Sequence, residues 1–549
     1  MTGPHTPAPA SRAPQRQADA IVRWLVGQRV ERIYALSGNQ IMPLFDACID
    51  SGLEIVHVRH EAAAVYMADA AAQLAGRPAV ALVTAGPGFG NALGALYAAR
   101  CAQSPLILLS GDADDGPAGL GAFQRLDQCS AAAPFVKASL RAHDALTPAR
   151  ALARAWRIAC TAPAGPVHVA LPASSLLQAG VDDELPSALA DSNGRDAVQA
   201  AVALRERLAG VVRPLVVVGP ALARHLRGAG LARLSEALSA PVHAALSPRG
   251  LRDPSAGALS VVAREADLIV LLGQDVDFSV GRLQGLRADA FCIHADEAAL
   301  AQAGTLLAPR QPMLWCADPA AVVDRLLSEA PAGAGERADD NERWVDWARR
   351  AVAHRELAAP APAFVAGLQV AARWLGQRSD PTLIIDGGEF GQWVQAFLSA
   401  STRLINGPSG AIGGGLPMAV AASLERPASD VVLFSGDGSI GFHLAEFETA
   451  LRAGGRPIVI VGNDCAWNAE RQIQLRDYGP RRQIGCELSG EVRYDELVQA
   501  LGGFGRRVES AEALELALDE AQAARLPACI DWRIDGRPAP DYLPFDAFV

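Results

Sequence analysis

Short apolar runs recur along the whole chain, and Ala- and Leu-rich amphipathic stretches lie between them. Typical runs are AVALVTAGPG at 79–88, PLVVVGP at 214–220 and PIVIVGND at 457–464. They are rich in β-branched residues and do not alternate with polar ones, which is typical of strands buried on both faces of a parallel sheet. The pattern therefore predicts an α/β protein built from doubly wound parallel sheets.

The chain of 549 residues is too long for one hydrophobic core, and its length predicts about three domains. Two stretches have the composition of linkers: 181–196 is acidic and rich in turn residues, and 329–343 is rich in Gly, Ala and charged residues. The first residues are rich in Pro, Ala and Arg and predict a disordered tail. The predicted units are a tail at 1–16 and three parallel-sheet domains at 17–180, 197–328 (the central domain) and 360–549.

Composition and charge exclude several classes of partner. The net charge is −11 at pH 7 and the basic residues are scattered, so no basic stripe predicts a nucleic-acid surface. The apolar runs are far shorter than the roughly 20 residues that span a bilayer. The N-terminus also lacks the apolar core of a secretory signal, so we expect no membrane partner. The nine cysteines are dispersed without a C-x-x-C pair, which favours buried free thiols in a reducing cytoplasm over a zinc site.

The segment VVLFSGDGSIGF at 431–442 joins a buried strand to a helix through a Gly-Asp-Gly-Ser turn. Ligands of open α/β sheets bind at the carboxyl ends of strands, and glycines let backbone N–H groups approach an anion. The carboxylate of Asp437 would repel a phosphate unless a cation lay between them, so the turn predicts a metal–phosphate site that suits Mg²⁺. The alternative is an Asp-Gly hairpin turn, and the helix that follows argues against it.

The apolar run IVIVG at 458–462 ends in Asn463 and Asp464. On its own this ending is typical of a turn, because Asn and Asp start turns readily. The run is, however, the next strand after the helix that follows Asp437. Right-handed crossovers bring the ends of such strands to the same edge of a sheet. We therefore expect Asp437 and Asp464 to meet at one cation.

Together these motifs resemble the fingerprint of enzymes that depend on thiamine diphosphate. The resemblance implies that Asp437, the side chain of Asp464 and the backbone carbonyl of Ala466 hold Mg²⁺. The family usually has Asn at the position of Asp464, and an Asp still offers an oxygen ligand. The implied contacts to the cofactor come from glycine-rich segments and one aromatic residue, namely Gly387, Gly388, Gly410, Ile412, Gly436, Gly438, Ser439 and Trp467.

Two of these segments have more specific implied roles. In LINGPSGAIGGGLP at 404–417, Ile412 would support the bent shape of the cofactor, and the carbonyl of Gly410 would accept a hydrogen bond from its amino group. A tight helix–helix contact is the alternative use of these small residues. In LIIDGGEFGQW at 383–393, Gly387 and Gly388 would offer backbone N–H groups to the diphosphate.

Glu61 begins the helical stretch EAAAVYMADAAAQLA, which follows a short strand. One interpretation is purely structural, since the helix dipole favours an acid in the first turn. The family resemblance implies another interpretation, in which this glutamate hydrogen-bonds the pyrimidine ring of the cofactor and relays the activating proton. The Ala-rich surroundings would keep the carboxylate poorly solvated, which favours proton sharing.

The segment LVTAGPGFGNALG at 82–94 offers a hypothesis from another class. It resembles a dinucleotide fingerprint, although Asn91 stands in place of the third glycine. An NAD-dependent dehydrogenase is therefore an alternative, but it gives no role to the GDGS turn or to Asp464. The family resemblance places the same segment beside thiamine diphosphate. A non-catalytic relative that only binds the cofactor is a further alternative.

The resemblance covers nearly the whole chain, and the domain order is that of the acetolactate synthase family. Stretches such as FQRLDQCSAAAPFVK at 123–137 look closest to benzaldehyde lyase, and oxalyl-CoA decarboxylase and 2-hydroxyacyl-CoA lyase have a similar run. The resemblance implies that Gln124, Gln40 and Asn39 orient the substrate. Benzaldehyde lyase has a histidine at the position of Gln40, and an amide does not titrate near neutral pH, so the same proton relay is not expected here.

We therefore expect a cytoplasmic enzyme, dependent on thiamine diphosphate and Mg²⁺, that forms or cleaves a carbon–carbon bond in 2-oxo acids, aldehydes, acyloins or other 2-hydroxy ketones. The alternative activity is decarboxylation or cleavage of an acyl-CoA, as in oxalyl-CoA decarboxylase or 2-hydroxyacyl-CoA lyase. The resemblance implies that Glu61 and the metal site of one active site come from different subunits, so a homodimer is the minimum and a homotetramer is usual. In relatives the central domain holds FAD, ADP or nothing, and the sequence leaves this choice open.

Overall fold

The computed structural model describes residues 15–114, 121–180, 194–328, 338–406 and 408–548. Three parallel β-sheets follow one another along the chain. They confirm the predicted fold class of three consecutive doubly wound parallel-sheet domains. The strands of the described residues lie within the ranges predicted for the three domains. Residues 1–14 of the predicted tail and most of both predicted linkers lie outside the described residues.

The first domain contains a six-stranded sheet. Its strands are β1 (Arg32–Ala35), β2 (Glu54–His57), β3 (Ala79–Val83), β4 (Leu106–Asp112), β5 (Ala138–Arg141) and β6 (Val167–Pro172). Its helices are α1 (Gln17–Gly27), α2 (Met42–Cys48), α3 (Glu61–Ala75), α4 (Pro87–Cys101), α5 (Gln128–Ala132), α6 (Pro148–Cys160) and α7 (Ala173–Leu177), with 3-10 turns at Asn39–Ile41 and Ala133–Phe135. The strand order is β2-β1-β3-β4-β6-β5. Every residue of β3, β4 and β6 is buried, as expected for a sheet covered on both faces.

The central domain contains a five-stranded sheet. Its strands are β7 (Pro214–Val218), β8 (Val242–Ala244), β9 (Leu268–Leu272), β10 (Asp289–His294) and β11 (Met313–Cys316). The helices are α8 (Gly194–Ala209), α9 (Pro220–His225), α10 (Gly230–Leu238), α11 (Leu259–Glu265), α12 (Glu297–Leu307), α13 (Pro319–Ser328) and α14 (Ala338–Ala353), with 3-10 turns at Gly250–Arg252, Pro254–Ala256, Gly281–Leu283 and Ala308–Arg310. The order is β11-β10-β9-β7-β8, so the winding reverses between β9 and β7.

The third domain contains the second six-stranded sheet. Its strands are β12 (Thr382–Ile385), β13 (Thr402–Ile405), β14 (Val431–Gly436), β15 (Ile458–Asn463), β16 (Phe504–Val508) and β17 (Ala528–Arg533). Its helices are α15 (Phe364–Gly376), α16 (Gly388–Phe397), α17 (Gly415–Glu425), α18 (Asp437–Ile440), α19 (Glu446–Ala453), α20 (Asn468–Tyr478), α21 (Tyr494–Ala500) and α22 (Ala511–Ala524). The order β13-β12-β14-β15-β17-β16 places both acidic motifs on central, adjacent strands.

The first and third domains share one apolar core within the chain. Helices α3 and α17 consist largely of small residues, almost all of them buried, and they pack against each other. Polar contacts flank this core: the hydroxyl of Tyr34 donates to Glu425 at 2.9 Å, and the backbone N–H of Arg59 donates to Glu446 at 3.0 Å. The small residues thus allow two domains to approach closely.

The end of the described chain runs back from the third domain to the central one. After β17 it passes α16 and the start of α20, where Trp393 Nε1 donates to the carbonyl of Pro538 and Asn468 Nδ2 donates to that of Arg537, both at 2.8 Å. Farther along, Phe545 packs on Trp347 of α14. The segment therefore ties elements at the end of β12 and β15 to the central domain.

All nine cysteines are free thiols. Cys48, Cys292, Cys486 and Cys529 are buried, as the sequence predicts, whereas Cys316 is exposed because it ends the edge strand β11. Across the part of the chain that the structure describes, no helix has the length and apolar character needed to cross a membrane.

Candidate active site

The GDGS turn and the Asn-Asp ending lie side by side at the carboxyl edge of the third sheet. Strands β14 and β15 pair in parallel with Gly436 opposite Gly462. Asp437 follows β14 directly and begins α18, and Asp464 follows β15. Asp437 and Asp464 line the same cavity, so the two carboxylates lie at one edge of the sheet, as the strand–helix–strand pattern predicts.

Asn463 takes a different direction from its neighbour. Its Nδ2 donates to Asp531 Oδ1 at 2.8 Å, and its Oδ1 accepts a hydrogen bond from Arg533 Nη1 at 2.9 Å. Both partners belong to β17, so the Asn463 side chain is used inside the sheet. The side chain that turns toward Asp437 is therefore that of Asp464.

Burial raises the pKa of both carboxyl groups. The pKa of Asp437 rises to about 7, first because the group is buried and then because Asp464 lies nearby, while backbone N–H groups of Ala466 and Cys465 limit the rise. The pKa of Asp464 rises to about 6, mainly through burial. A divalent cation would remove the repulsion between the two carboxylates, so they are a suitable ligand pair for it.

A cavity of about 430 Å³ opens at this edge. Pro248, Arg249 and Phe278 of the central domain also border it. All the residues of the third domain that the sequence predicts to bind the cofactor or the metal line this cavity: Gly387, Gly388, Gly410, Ile412, Gly436, Asp437, Gly438, Ser439, Asp464, Ala466 and Trp467. The structure thus brings together residues from four separate motifs.

Two glycines in the cavity wall leave no room for a larger side chain. A Cβ atom at Gly438 would lie 2.6 Å from the ring of Trp467, and one at Gly387 would lie 2.6 Å from Ile412 Cγ2. Both distances are shorter than van der Waals contact. The glycines therefore keep Trp467 and Ile412 close to the main chain that forms the cavity.

Asp386 organises the glycine-rich loops, and the sequence did not single it out. It directly follows β12 and is 1% exposed. Its carboxylate accepts backbone N–H groups of Gly387 at 2.8 Å, Gly413 at 3.1 Å and Gly415 at 3.1 Å, and the amide of Asn406 at 2.8 Å. The N–H group of Gly387 is thus directed to Asp386, which differs from the predicted contact with a diphosphate and leaves Gly388 for that role.

Glu61 lies in the first turn of α3 and is 8% exposed. Asn91 Nδ2 donates to Glu61 Oε2 at 3.0 Å. The sequence treats Asn91 only as a departure from a dinucleotide fingerprint, whereas in the structure it orients the predicted proton-relay group. A carboxylate with one oxygen held by an amide keeps the other oxygen available to a ligand.

Gln40 and Gln124 form a hydrogen-bonded chain with Thr84. Thr84 Oγ1 donates to Gln40 Oε1 at 2.7 Å, and Gln40 Nε2 donates to Gln124 Oε1 at 2.8 Å. Gln124 has a left-handed backbone with φ of 59°. Asn39 is exposed and stands outside this chain.

Gly88 lies between Thr84 of this hydrogen-bonded chain and Glu61. A Cβ atom added there would lie 2.7 Å from Thr84 Cγ2 and 3.3 Å from Glu61 Oε1. Glu61, Asn91, Gln40 and Thr84 therefore form one polar cluster in the first domain. Among the described residues, the lining of the cavity in the third domain contains none of this cluster.

Two protein-family models match the chain, one in the first domain and one in the third. Residues 15–131 match the thiamine pyrophosphate enzyme N-terminal TPP binding domain. Residues 386–532 match the thiamine pyrophosphate enzyme C-terminal TPP binding domain. The first range contains the polar cluster around Glu61, and the second contains the cavity with Asp437 and Asp464. Fold and site together define a thiamine diphosphate (thiamine pyrophosphate) enzyme.

Similar proteins cover almost the whole chain. A probable acetolactate synthase of Mycobacterium bovis is 30% identical over 93% of this chain and 94% of its own length. An acetolactate synthase of Bacillus subtilis is 27% identical over 95% and 93%, and a 2-hydroxyacyl-CoA lyase 2 of Danio rerio is 28% identical over 93% and 90%. The chain belongs to the acetolactate synthase family and is a thiamine diphosphate-dependent carboligase or lyase. The predicted closeness to benzaldehyde lyase stays a prediction.

The residues of the cavity suit this cofactor and a divalent cation. Carboxylate and carbonyl oxygens are the ligands that Mg²⁺ prefers alongside phosphates. The described residues include no group of three or more His, Cys, Asp or Glu side chains suited to a metal. A divalent cation would therefore be held by the pair Asp437 and Asp464 together with main-chain oxygen. The cofactor would lie against the narrow glycine-lined walls.

The raised pKa values predict a pH dependence of metal binding. Mg²⁺ competes with protons for Asp437 and Asp464, whose pKa values are about 7 and about 6, so its affinity should fall as the pH falls through this range. In the metal-free protein the stability of the folded state depends on pH in the opposite direction. A folded-state pKa above the unfolded value of about 4 gives stability at low pH that is lost progressively as the pH rises from about 4 through the folded-state values of about 6 and about 7.

Melting temperatures check this dependence. The protein is first stripped of metal and then melted either alone or after addition of Mg²⁺ and thiamine diphosphate, at about pH 5.5 and at about pH 7.5. We expect the larger stabilisation by the ligands at the higher pH. Equal stabilisation at both values would contradict the assignment of these two carboxylates as the ligands.

Proposed function

We propose that the enzyme uses Mg²⁺ with thiamine diphosphate and acts on 2-oxo acids or 2-hydroxy ketones, as an acetolactate synthase-like carboligase or lyase. The observation that carries the proposal is the convergence of Asp437 and Asp464 in a cavity lined by glycines from four motifs. When bound, the cofactor supplies the carbon nucleophile that adds to a substrate carbonyl. Asp437, Asp464 and the carbonyl of Ala466 would hold the metal.

In this proposal Glu61 shares a proton with the pyrimidine ring of the cofactor. Asn91 holds Glu61 Oε2 at 3.0 Å, which leaves Oε1 free to face the ring. The burial of Glu61 keeps water away from the shared proton and strengthens the hydrogen bond to the ring. Asn91 is thus proposed as a positioning residue for Glu61.

Gln124, Gln40 and Asn39 are proposed to orient the substrate. Thr84 holds Gln40, and Gln40 in turn holds Oε1 of Gln124. The Nε2 group of Gln124 can then donate to an oxygen of the substrate, which suits a carbonyl or carboxylate group. Because amides do not titrate near neutral pH, they position the substrate and do not exchange protons with it.

We propose that a complete active site joins two subunits of a homodimer or homotetramer in the cytoplasm. The support is that the cluster around Glu61 belongs to the first domain, while the cavity is lined by the third and central domains. Co-expression of Glu61→Gln with Asp437→Ala chains checks this arrangement. Mixed dimers would regain one intact site and part of the activity, whereas separate sites within each chain would give none.

Product identification tests the substrate class. We expect purified enzyme with thiamine diphosphate and Mg²⁺ to convert pyruvate or benzoin into ligated or cleaved carbonyl products. Conversion of oxalyl-CoA or a 2-hydroxyacyl-CoA alone would favour the alternative activity, which the similarity to 2-hydroxyacyl-CoA lyase 2 also supports. Tight cofactor binding without any product would instead indicate a non-catalytic relative.

A further inference from the structure

A second cavity of about 270 Å³ lies where the three domains meet. Its walls come from α9 and the following turn of the central domain, from the ends of α3 and α4, and from β13 with the turn before it. Three of its lining residues are arginines, namely Arg224, Arg227 and Arg403. None of the described residues that line it is acidic.

Two of the arginines join the central domain to the first one through neutral partners. Arg224 donates from Nη1 to the carbonyl of Ala102 at 2.6 Å and from Nη2 to that of Gln103 at 2.5 Å. Arg227 donates from Nη1 to the carbonyl of Leu74 at 2.8 Å and also binds the preceding carbonyl. These carbonyls lie at the C-terminal ends of α4 and α3, where helix dipoles favour cations. Because these carbonyls are dipoles and carry no full negative charge, they compensate only part of the positive charge of the two arginines.

Arg403 on β13 is the third cation. Within the described ranges, no side chain or carbonyl accepts a hydrogen bond from its guanidinium group, and burial lowers its pKa. Asp253 acts electrostatically on Arg403, and Asp69 acts on Arg224, and each holds the pKa of its arginine up. Neither carboxylate belongs to the described lining of the cavity. Asp253 Oδ1 accepts the N–H of Ser255 at 2.7 Å and Asp69 Oδ1 accepts the amide of Gln73 at 3.0 Å.

We propose that this cavity binds a phosphoryl group, either inorganic phosphate or the phosphate of a small phosphomonoester. Three guanidinium groups around one cavity suit a tetrahedral anion with several acceptor oxygens better than a carboxylate with two. An anion would also compensate the positive charge of Arg224 and Arg403, which are half-buried. The volume of about 270 Å³ is below the roughly 300–1,000 Å³ of pockets for drug-sized ligands, so the ligand is small.

This anion site adjoins the cofactor cavity but does not depend on its chemistry. Ile405, the last residue of β13, lines both cavities. An anion that binds Arg403 therefore sits on the strand whose last residue forms part of the wall of the cofactor cavity. Any effect of the anion on cofactor affinity must then be matched by an equal effect of the cofactor on anion affinity.

Calorimetric titration of the full-length holoenzyme tests the proposal. Thiamine diphosphate and Mg²⁺ are kept saturating, so that added phosphate cannot occupy the diphosphate site. Sodium phosphate and glycerol phosphate are titrated separately, with sodium chloride at the same ionic strength as the reference. The variant is Arg403→Gln, and the matched control is Arg482→Gln, since Arg482 is exposed and lies in another part of the third domain.

We expect saturable binding to the parent and to Arg482→Gln, with at least about tenfold weaker binding to Arg403→Gln, the loss typical of a charge-assisted hydrogen bond. The ligand that binds more tightly shows whether the site takes inorganic phosphate or a phosphomonoester. Equal affinity of the two variants, or heat no greater than with chloride, would overturn the proposal. If Arg403→Gln fails to fold, Arg227→Gln replaces it, since Arg227 lines the same cavity and is exposed, and an unchanged phosphate affinity in it would likewise overturn the proposal.

Discussion

Glu61→Gln should lose turnover by about 10²–10⁴-fold, the usual contribution of a positioned acid–base group, while cofactor affinity stays nearly unchanged. Glutamine keeps the size of the side chain and can still accept from Asn91, which lies 3.0 Å from Oε2. It cannot, however, share a proton with the ring of the cofactor. Initial rates and calorimetric titration with thiamine diphosphate separate these two effects.

Glu54→Gln is the matched control for this substitution. Glu54 lies in the same domain, at the start of β2, and forms an exposed ion pair with Arg32 at 2.8 Å. Such surface pairs contribute little, so the control should retain the parent rate. An unchanged rate in Glu61→Gln would mean that Glu61 only stabilises the first turn of α3.

Asp464→Ala should weaken Mg²⁺-dependent cofactor binding by about 100-fold or more, because loss of a partner beyond the direct ligands already costs about 10–100-fold. Asp464→Asn should remain active, since it keeps an oxygen ligand. Burial is the main cause of the raised pKa of Asp437 and would remain, but this substitution removes the second cause, the charge of Asp464. We therefore expect Asp464→Asn to retain more of its metal affinity at low pH than the parent does.

Metal titrations of both variants at two pH values check this expectation. Asp477→Ala serves as the control, because Asp477 is exposed and, among the described residues, forms an ion pair only with its neighbour Arg476, at 2.7 Å. If Asp464→Ala bound Mg²⁺ and the cofactor as tightly as the control, Asp464 would be only the turn residue that its position after a strand suggests.

The sequence predicts those parts of the site that backbone topology determines. The runs before Asp437 and Asp464 are apolar and unbroken, so each predicts a buried parallel strand. The handedness of the crossover then predicts that their ends meet at one edge, and the pairing of β14 with β15 agrees. The same reasoning brings Gly387 and Ile412 to the cavity, since both follow strands of that sheet.

Side-chain partners across different elements are not predictable in the same way. The contact of Asn91 with Glu61 depends on how α3 packs on α4, and sequence spacing carries no signal of that packing. The burial of Asp386 and its use of the Gly387 N–H group depend on how the loop of Gly413 folds back over the strand end. An Asp at a strand end beside two glycines is the one signal that could have indicated its role.

Calorimetric titration of the purified parent protein with thiamine diphosphate tests the central claim most directly. Three conditions suffice: with Mg²⁺, with EDTA, and with NAD in place of thiamine diphosphate. The account predicts saturable binding of thiamine diphosphate that requires Mg²⁺ and is lost in Asp437→Ala, with no comparable binding of NAD. Binding of NAD without binding of thiamine diphosphate, or binding of thiamine diphosphate that EDTA and Asp437→Ala leave unchanged, would contradict it.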